Sequence, residues 1–139
     1  MPKTKTQTIL PGGWPKPRGY SNGVVLPAGR PLFIAGMVGW NEKEQLVGPG
    51  MGEQFKQALL NIAAVAKAAG SAIEHIGRLT IYVTDKAAYA AARKELGAAY
   101  KEVFGSHYPA MALIEIKGLL EAGALVEIEA TGVVPDKKS

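Results

Sequence analysis

Apolar and polar residues alternate with a period of two in the first third of the chain. The alternation covers residues 23–27 and 31–36, and Ala28, Gly29 and Arg30 separate the two runs. Two extended runs joined by a short connection that contains glycine are typical of a β-hairpin. The sequence therefore predicts that these two strands pair with each other.

The apolar spacing changes to three and four residues after a polar, glycine-rich stretch. The new stripe begins at Phe55 and continues through Leu59, Ile62 and Ala66. This period is that of an amphipathic helix with one face in the core. Gly70 follows the stripe, at the position where glycine commonly ends a helix. We predict a first helix that ends near Gly70.

Capping residues mark the elements that follow. Ser71 and Glu74 have the spacing of a capping box, which predicts a short helical turn. Residues 79–83 then alternate apolar and polar positions and include β-branched and aromatic side chains, as strands do. Asp85 comes directly afterwards and predicts the N-cap of a second helix, which runs to about Phe104.

The second helix carries three residues of interest beside its apolar stripe. Lys101 is predicted to point outward, whereas Arg93 lies at the edge of the stripe, one turn from Tyr89. Gly97 lies in the helix interior, where glycine costs about 1 kcal/mol relative to alanine. We therefore predict a close packing contact at Gly97.

Two further strands, at residues 110–117 and 124–134, complete the order β-β-α-β-α-β-β. This order predicts an α+β fold of two layers, with one sheet and both helices on one of its faces. The other face either contacts water or is covered by association, and we favour association. The 139 residues correspond to one domain over residues 1–139, with flexible ends near 1–5 and 135–139.

Composition excludes several kinds of site. The chain contains no cysteine, so a disulfide, a thiolate nucleophile and a cysteine metal site are excluded. Its two histidines lie far apart in sequence, and no nucleotide-binding glycine motif is present, so we predict neither a metal nor a nucleotide cofactor. No segment resembles a secretory signal or a membrane span, which leads us to expect a cytoplasmic protein.

The net charge of +4 does not indicate nucleic-acid binding. Four lysines near the two ends supply much of the positive charge, and the interior basic residues are scattered among acids. A nucleic-acid surface would instead show a basic track with interleaved aromatic residues. We therefore do not predict a nucleic-acid partner.

Three residues, on the last strand and the second helix, are candidates for chemistry on a carboxylate substrate. Glu127 and Glu129 share one face of the last strand, where they either contact solvent or lie in a cleft and hold a water molecule for hydrolysis. Arg93 either pairs with a substrate carboxylate in an intersubunit groove or extends along its aliphatic stem to solvent. The residue pattern alone leaves both pairs of alternatives open.

Several short segments, in this order and spacing, resemble the Rid (YjgF) family from about residue 20 to residue 134. The segments are Gly19-Tyr20-Ser21-Asn22-Gly23-Val24, Ile34-Ala35-Gly36, Gln57-Ala58-Leu59-Leu60-Asn61-Ile62, Ala68-Ala69-Gly70, Val83-Thr84-Asp85, Tyr108-Pro109-Ala110 and Val126-Glu127-Ile128-Glu129-Ala130. The resemblance implies a chorismate-mutase-like fold and a homotrimer whose sheets form a barrel, with three clefts between subunits.

The resemblance also implies a reaction. Well-known members hydrolyse 2-aminoacrylate-type enamines or their imines to 2-keto acids and ammonia, without metal or organic cofactor. Relatives deaminate aminomuconate or similar intermediates of aromatic-compound degradation, and some members have been called endoribonucleases. We therefore expect a deaminase of a small enamine or imine carboxylate, with an aminomuconate-type compound as one candidate. The alternative is a non-catalytic trimer that binds a metabolite or regulates a partner.

The family pattern assigns roles to three residues of this chain. Tyr20 matches a tyrosine that lines the cleft, and the backbone around Gly36 matches another part of the cleft lining. Glu127 matches the glutamate thought to orient the attacking water. These assignments rest on the resemblance and not on the spacing of the residues themselves.

The chain departs from the deaminase pattern at the carboxylate site. Met111 stands where that branch has an arginine that binds the substrate carboxylate, and a thioether cannot replace it in that role. Arg93 stands where the same branch has an asparagine on the second helix. Our hypothesis is that Arg93 binds the carboxylate and Met111 widens the pocket, while Met37 and Trp40 add an apolar wall.

Overall fold

The structure is a computed structural model that describes residues 5–137. The predicted flexible ends therefore lie partly outside the described residues, which leave out 1–4, 138 and 139. The elements in chain order are β1 (Gln7–Ile9), β2 (Gly23–Val25), β3 (Gly29–Met37), α1 (Met51–Ala68), a 3₁₀ turn (Ile73–His75), β4 (Ile76–Val83), α2 (Lys86–Ala91), α3 (Arg93–Phe104), β5 (Ala110–Glu115) and β6 (Val126–Pro135).

The main sheet has the strand order β3-β6-β4-β5, and the fold is α+β, as predicted. The β4 and β5 strands are parallel, whereas β6 is antiparallel to both of its neighbours. Side chains of α1 and α3 form one core with one face of this sheet; Leu59 and Ile62 of α1 and Leu79 of β4 are fully buried. The sheet and the helices thus form the two predicted layers.

The predicted hairpin between residues 23–27 and 31–36 is wrong. The β2 strand pairs with β1, with Gln7 opposite Val25, and β3 pairs with β6, with Arg30 opposite Val134. Alternation identifies a strand but carries no information about its partner, which is set by the side chains across the sheet. The short polar strand β1 gave no apolar pattern and was not predicted.

The second helix begins as predicted but is interrupted. The Asp85 carboxylate accepts hydrogen bonds from the Ala87 and Ala88 N–H groups, at 2.9 and 3.1 Å, which confirms the N-cap. Ala92 leaves the helical conformation for one residue and separates α2 from α3. Arg93 is consequently the first residue of α3.

Two other local predictions are corrected. The turn after α1 has Ala72 and not Ser71 as its N-cap residue and has no side-chain cap, because the Ser71 hydroxyl donates instead to the Val133 carbonyl at 2.5 Å. The C-terminal flexible segment does not begin at residue 135. Pro135 ends β6, and the Asp136 N–H donates to the Ala28 carbonyl at 2.9 Å.

Within residues 5–137, no helix is long and apolar enough to cross a membrane. In the same part of the chain, no cluster of three or more histidine, aspartate and glutamate side chains is placed to hold a metal ion.

Candidate functional site

A cavity of about 460 Å³ opens at β5, the edge strand of the main sheet, between that strand and the α2–α3 helices. Its lining is mostly apolar and aromatic. The residues that line it are Arg18, Gly19, Tyr20, Phe55, Ile81, Tyr89, Arg93, Leu96, Gly97, Tyr100, Lys101, Tyr108, Met111, Ala112 and Leu113. A concave, largely apolar space with a few polar groups is the usual form of a small-molecule site.

The loop before β2 carries Tyr20 to the mouth of this cavity. Its neighbour Ser21 is joined to the start of β5, since its N–H donates to the Pro109 carbonyl at 3.0 Å and its hydroxyl donates to the Tyr108 carbonyl. Gly19 has a φ of +79°, a left-handed conformation that favours glycine over residues with a side chain. The loop is therefore held in place on both sides of the tyrosine.

Stacked aromatic rings form one wall of the cavity. The Tyr100 and Tyr108 rings are nearly parallel, with centroids 5.0 Å apart. The Tyr100 hydroxyl donates to the His107 carbonyl at 2.6 Å, and burial raises the pKa of Tyr100, with the nearby Tyr108 adding to the effect. On the other side, Phe55 and Tyr89 meet edge to face at 6.2 Å. These rings thus present flat apolar surfaces to a ligand.

Three cations border the cavity, namely Arg18, Arg93 and Lys101. No aspartate or glutamate is among the residues that line it. The ion pair in the described part of the chain joins Lys56 and Glu102 and involves none of the three. The uncompensated positive charge favours an anionic ligand, and the planar guanidinium of arginine pairs well with a carboxylate.

Glu127 lies on the opposite face of the sheet from this cavity. Val126, Ile128 and Ala130 of β6 are buried against the helices, so Glu127 and Glu129 between them project from the other face. There Tyr82, the partner of Glu127 on β4, donates a hydrogen bond of 2.6 Å to Glu129. The pKa of Tyr82 is raised, mainly because of this hydrogen bond.

Gly36 brings the backbone of β3 close to Glu127. Pairing between β3 and β6 is regular as far as Ile34 and resumes at Met37, and the irregularity between them contains Gly36. A Cβ atom at Gly36 would lie 2.6 Å from a carboxylate oxygen of Glu127. Bulges of this kind often redirect groups beside functional sites.

The structure thus divides the predicted site residues into two groups. Tyr20, Arg93 and Met111 line the cavity together, whereas Gly36 and Glu127 lie side by side on the other sheet face. Within one protomer, β4 separates β6 from β5 and hence the second group from the first.

Neither residue of the predicted apolar wall lines the cavity of its own protomer. Met37 packs against the hydrophobic core. Trp40 lies in the loop before α1, where its carbonyl accepts a hydrogen bond of 2.9 Å from the Asn61 side chain. The role assigned to these two side chains stays a prediction.

Sequence reasoning missed several cavity residues. Lys101 is exposed, as predicted, but it also lines the cavity, two turns after Arg93 on the same helix face. The spacing of four residues from Tyr89 through Arg93 to Lys101 contained this information, and a search for apolar stripes alone overlooked it. Arg18 lies in an irregular, proline-rich loop, where no periodicity predicts the direction of a side chain.

Comparison with known proteins identifies the family of this chain. The family described as "Endoribonuclease L-PSP" matches residues 15–134. A human protein named 2-iminobutanoate/2-iminopropanoate deaminase is 31% identical over 115 residues, which cover 82% of this chain and 79% of that protein. The goat (Capra hircus) protein of the same name is 35% identical with the same coverage.

Solved structures give the same result. A protein of unknown function of the Rid family from Yersinia pestis superposes with a TM-score of 0.78 at 33% identity, over 93% of this chain and 98% of that one. A member of the YjgF/YER057c/UK114 family from Mycobacterium tuberculosis superposes with a TM-score of 0.63 at 31% identity, over 84% and 88% of the two chains. The chain belongs to the Rid (YjgF) family.

Proposed function

We propose that this protein is a cofactor-independent hydrolase that deaminates small enamine or imine carboxylates, and that it acts as a homotrimer in the cytoplasm. The reaction named for the human and goat relatives supports the deaminase class. The charge of the cavity supports an anionic substrate, because three cations border it and no carboxylate does. An aminomuconate-type intermediate of aromatic-compound degradation is our candidate for the natural substrate.

One observation carries the proposal: the two groups of site residues lie on opposite faces of the sheet. A complete site therefore needs two protomers, in which the Tyr20, Arg93 and Met111 cavity of one meets the Glu127 face of the next. The cavity lies at an edge strand, where Leu113 and Ile114 are 46% and 42% exposed and available for contact. A closed trimer would repeat this contact three times.

The chemistry needs few groups. Arg93 binds the substrate carboxylate, and the enamine takes up a proton at carbon to become the imine. Glu127 accepts a proton from a water molecule as the water oxygen attacks the imino carbon. Glu127 passes this proton to the nitrogen and gives a carbinolamine. The carbinolamine hydroxyl then gives up its own proton, which the same carboxylate carries to the nitrogen as the carbon–nitrogen bond breaks, and ammonia and a 2-keto acid leave. A carboxylate that alternates between base and acid is sufficient for both proton transfers.

The test is ammonia release above the spontaneous rate. Purified protein is supplied with freshly generated 2-iminopropanoate and, separately, with an aminomuconate-type enamine. We expect acceleration of at least one reaction and loss of that acceleration by about a hundredfold or more in Glu127→Gln, since general acid–base catalysis contributes about 10² to 10⁴. No acceleration of either reaction, or an unchanged rate in Glu127→Gln, would contradict the proposal.

The second candidate is a non-catalytic trimer that binds a metabolite or regulates a partner. Met111 favours it, because a thioether at the cavity wall cannot pair with a carboxylate. The ammonia assay separates the two candidates when it is combined with calorimetry on a stable 2-keto acid. Binding without ammonia release supports the second candidate, and both together support the first.

A further inference from the structure

Gly97 has none of the usual reasons for a glycine inside a helix. It lies in the interior of α3, where glycine costs about 1 kcal/mol relative to alanine. Its φ is not in the left-handed region, and a Cβ atom built there would meet nothing within 4 Å. The close packing contact predicted from the sequence is therefore absent among the described residues. The missing side chain leaves open space at Gly97, which is exposed and is one of the residues that line the cavity.

The surroundings of this gap indicate what would fill it. Arg93, Gly97 and Lys101 follow one another at four-residue intervals on α3, so the gap lies between two cations, each about 6 Å away along the helix axis. The apolar side chains of Leu96 and Met111 line the same cavity. A ligand held by its carboxylate at Arg93 would place the rest of its length over Gly97.

The size of the cavity exceeds what the smallest substrates need. Ligand pockets for drug-sized molecules occupy about 300 to 1,000 Å³, and this cavity of about 460 Å³ falls in that range. The substrate 2-iminopropanoate has only a methyl group beyond its imino carbon and would leave the space over Gly97 empty. Flat aromatic walls, such as the Tyr100 and Tyr108 pair, suit a planar group.

We propose that Gly97 determines substrate specificity by making room for a long, flat side chain beyond the imino carbon. The preferred substrates are 2-imino or enamine carboxylates with a ring-sized or conjugated side chain, and not 2-iminopropanoate. This inference rests on the proposed deaminase function and narrows its substrate class.

The experiment compares two imines made in place by an amino-acid oxidase, one from phenylalanine and one from alanine. Removal of each imine is followed by the decrease in its semicarbazone. Wild-type protein should show a kcat/KM at least about tenfold higher for the phenylalanine-derived imine. Gly97→Leu, which fills the gap, should reduce this ratio about tenfold or more, since pocket size discriminates by about 10- to 200-fold per methylene.

Ala98→Leu is the matched control. Ala98 is exposed, is the next residue of α3 and does not line the cavity, so a leucine side chain there should leave the ratio unaltered. Leucine has a higher helix propensity than glycine, and Gly97→Leu should therefore fold. Sedimentation measures whether each variant keeps the assembly state of the wild type.

The outcomes separate this inference from the function on which it rests. A wild-type preference for the alanine-derived imine overturns the inference but leaves a deaminase. Dissociation of the Gly97→Leu assembly, or an unchanged ratio, also overturns it, because the glycine then serves another purpose. If neither imine is hydrolysed, the deaminase function fails. Calorimetry then tests whether Gly97 selects the ligand. Tighter binding of phenylpyruvate than of pyruvate, with the difference lost in Gly97→Leu, supports the inference. Equal binding of the two overturns it.

Discussion

Gly36 leaves the space in which the Glu127 carboxylate lies. A Cβ atom at Gly36 would lie 2.6 Å from a carboxylate oxygen and 2.8 Å from the carboxyl carbon of Glu127. Both distances are shorter than side chains tolerate, but the atoms met are the far end of a flexible side chain. An alanine at this position would therefore move the carboxylate and not the strand.

Gly36→Ala should reduce kcat about tenfold or more while the protein stays folded. The φ of Gly36 is not left-handed, so alanine introduces no backbone strain. A displacement of about 1 Å from the reacting atoms is enough for an effect of this size. The matched control is Gly12→Ala, where a Cβ atom would meet nothing within 4 Å. Equal activity of the two variants would show that the position of Glu127 does not matter.

Arg93→Ala should raise KM at least about tenfold, because hydrogen bonds to charged groups contribute about 1.5 to 3 kcal/mol. Lys94→Ala is the control, since Lys94 is the next residue of α3, is exposed and does not line the cavity. Steady-state kinetics on one imine substrate compare the variants. If both variants kept the KM of the wild type, Arg93 would not bind the substrate carboxylate.

Met111→Arg should restore the carboxylate site that the deaminase branch has on the strand. We expect the substrate preference of the protein to shift toward 2-iminopropanoate, because a guanidinium at this position both pairs with the carboxylate and fills cavity volume. The ratio of kcat/KM for the small imine to that for a longer one should rise about tenfold. A ratio that does not rise would contradict the role assigned to Met111.

Stability should fall above about pH 10, partly through Tyr100. Burial raises the pKa of Tyr100 above its usual value of 10.0, so above that pH the folded protein keeps a proton that the unfolded chain has lost. The contribution is complete below pH 10 and is lost as pH rises, with a slope of about 1.4 kcal/mol per pH unit for one proton.

Tyr100→Phe tests this account by urea unfolding between pH 8 and pH 11. The variant should lose about 1 kcal/mol at pH 8, because the His107 carbonyl loses its donor. Above pH 10 its stability should fall less steeply than that of the wild type. Equal slopes for the two proteins would show that Tyr100 is not the group that keeps its proton in the folded protein above pH 10.

Local periodicity predicted the elements better than it predicted their partners. The apolar stripe of α1 and the alternation of β4 are properties of neighbouring residues, and both elements formed as expected. The pairing of β3 with β6 joins residues about a hundred positions apart, such as Arg30 and Val134, and no local pattern encodes it. The predicted hairpin failed for this reason.

The residues of the candidate site were also easier to predict than their positions relative to one another. The family resemblance identified Tyr20, Arg93 and Met111, and these three residues do share a cavity. Glu127 lies on the other face of the sheet because its neighbours Val126 and Ile128 are buried against the helices. The sequence alone did not reveal that β4 separates Glu127 from the cavity. The cavity volume and the space at Gly97 depend on packing between distant elements and needed the structure.

We propose that each active site combines the cavity of one protomer with Glu127 of another. Two variants that are each defective, Glu127→Gln and Arg93→Ala, test it when they are unfolded, mixed in equal amounts and refolded together. A site is intact when its cavity, with Arg93, comes from the Glu127→Gln variant and its Glu127 comes from the Arg93→Ala variant.

The measurement is the kcat/KM for imine hydrolysis of the refolded mixture. Random assembly of a closed trimer makes about a quarter of the sites intact, so we predict about a quarter of the refolded wild-type value. Each variant refolded alone should have about a tenth of the wild-type value or less. A mixture no more active than the average of the two separate variants would contradict the claim that the site is shared between protomers.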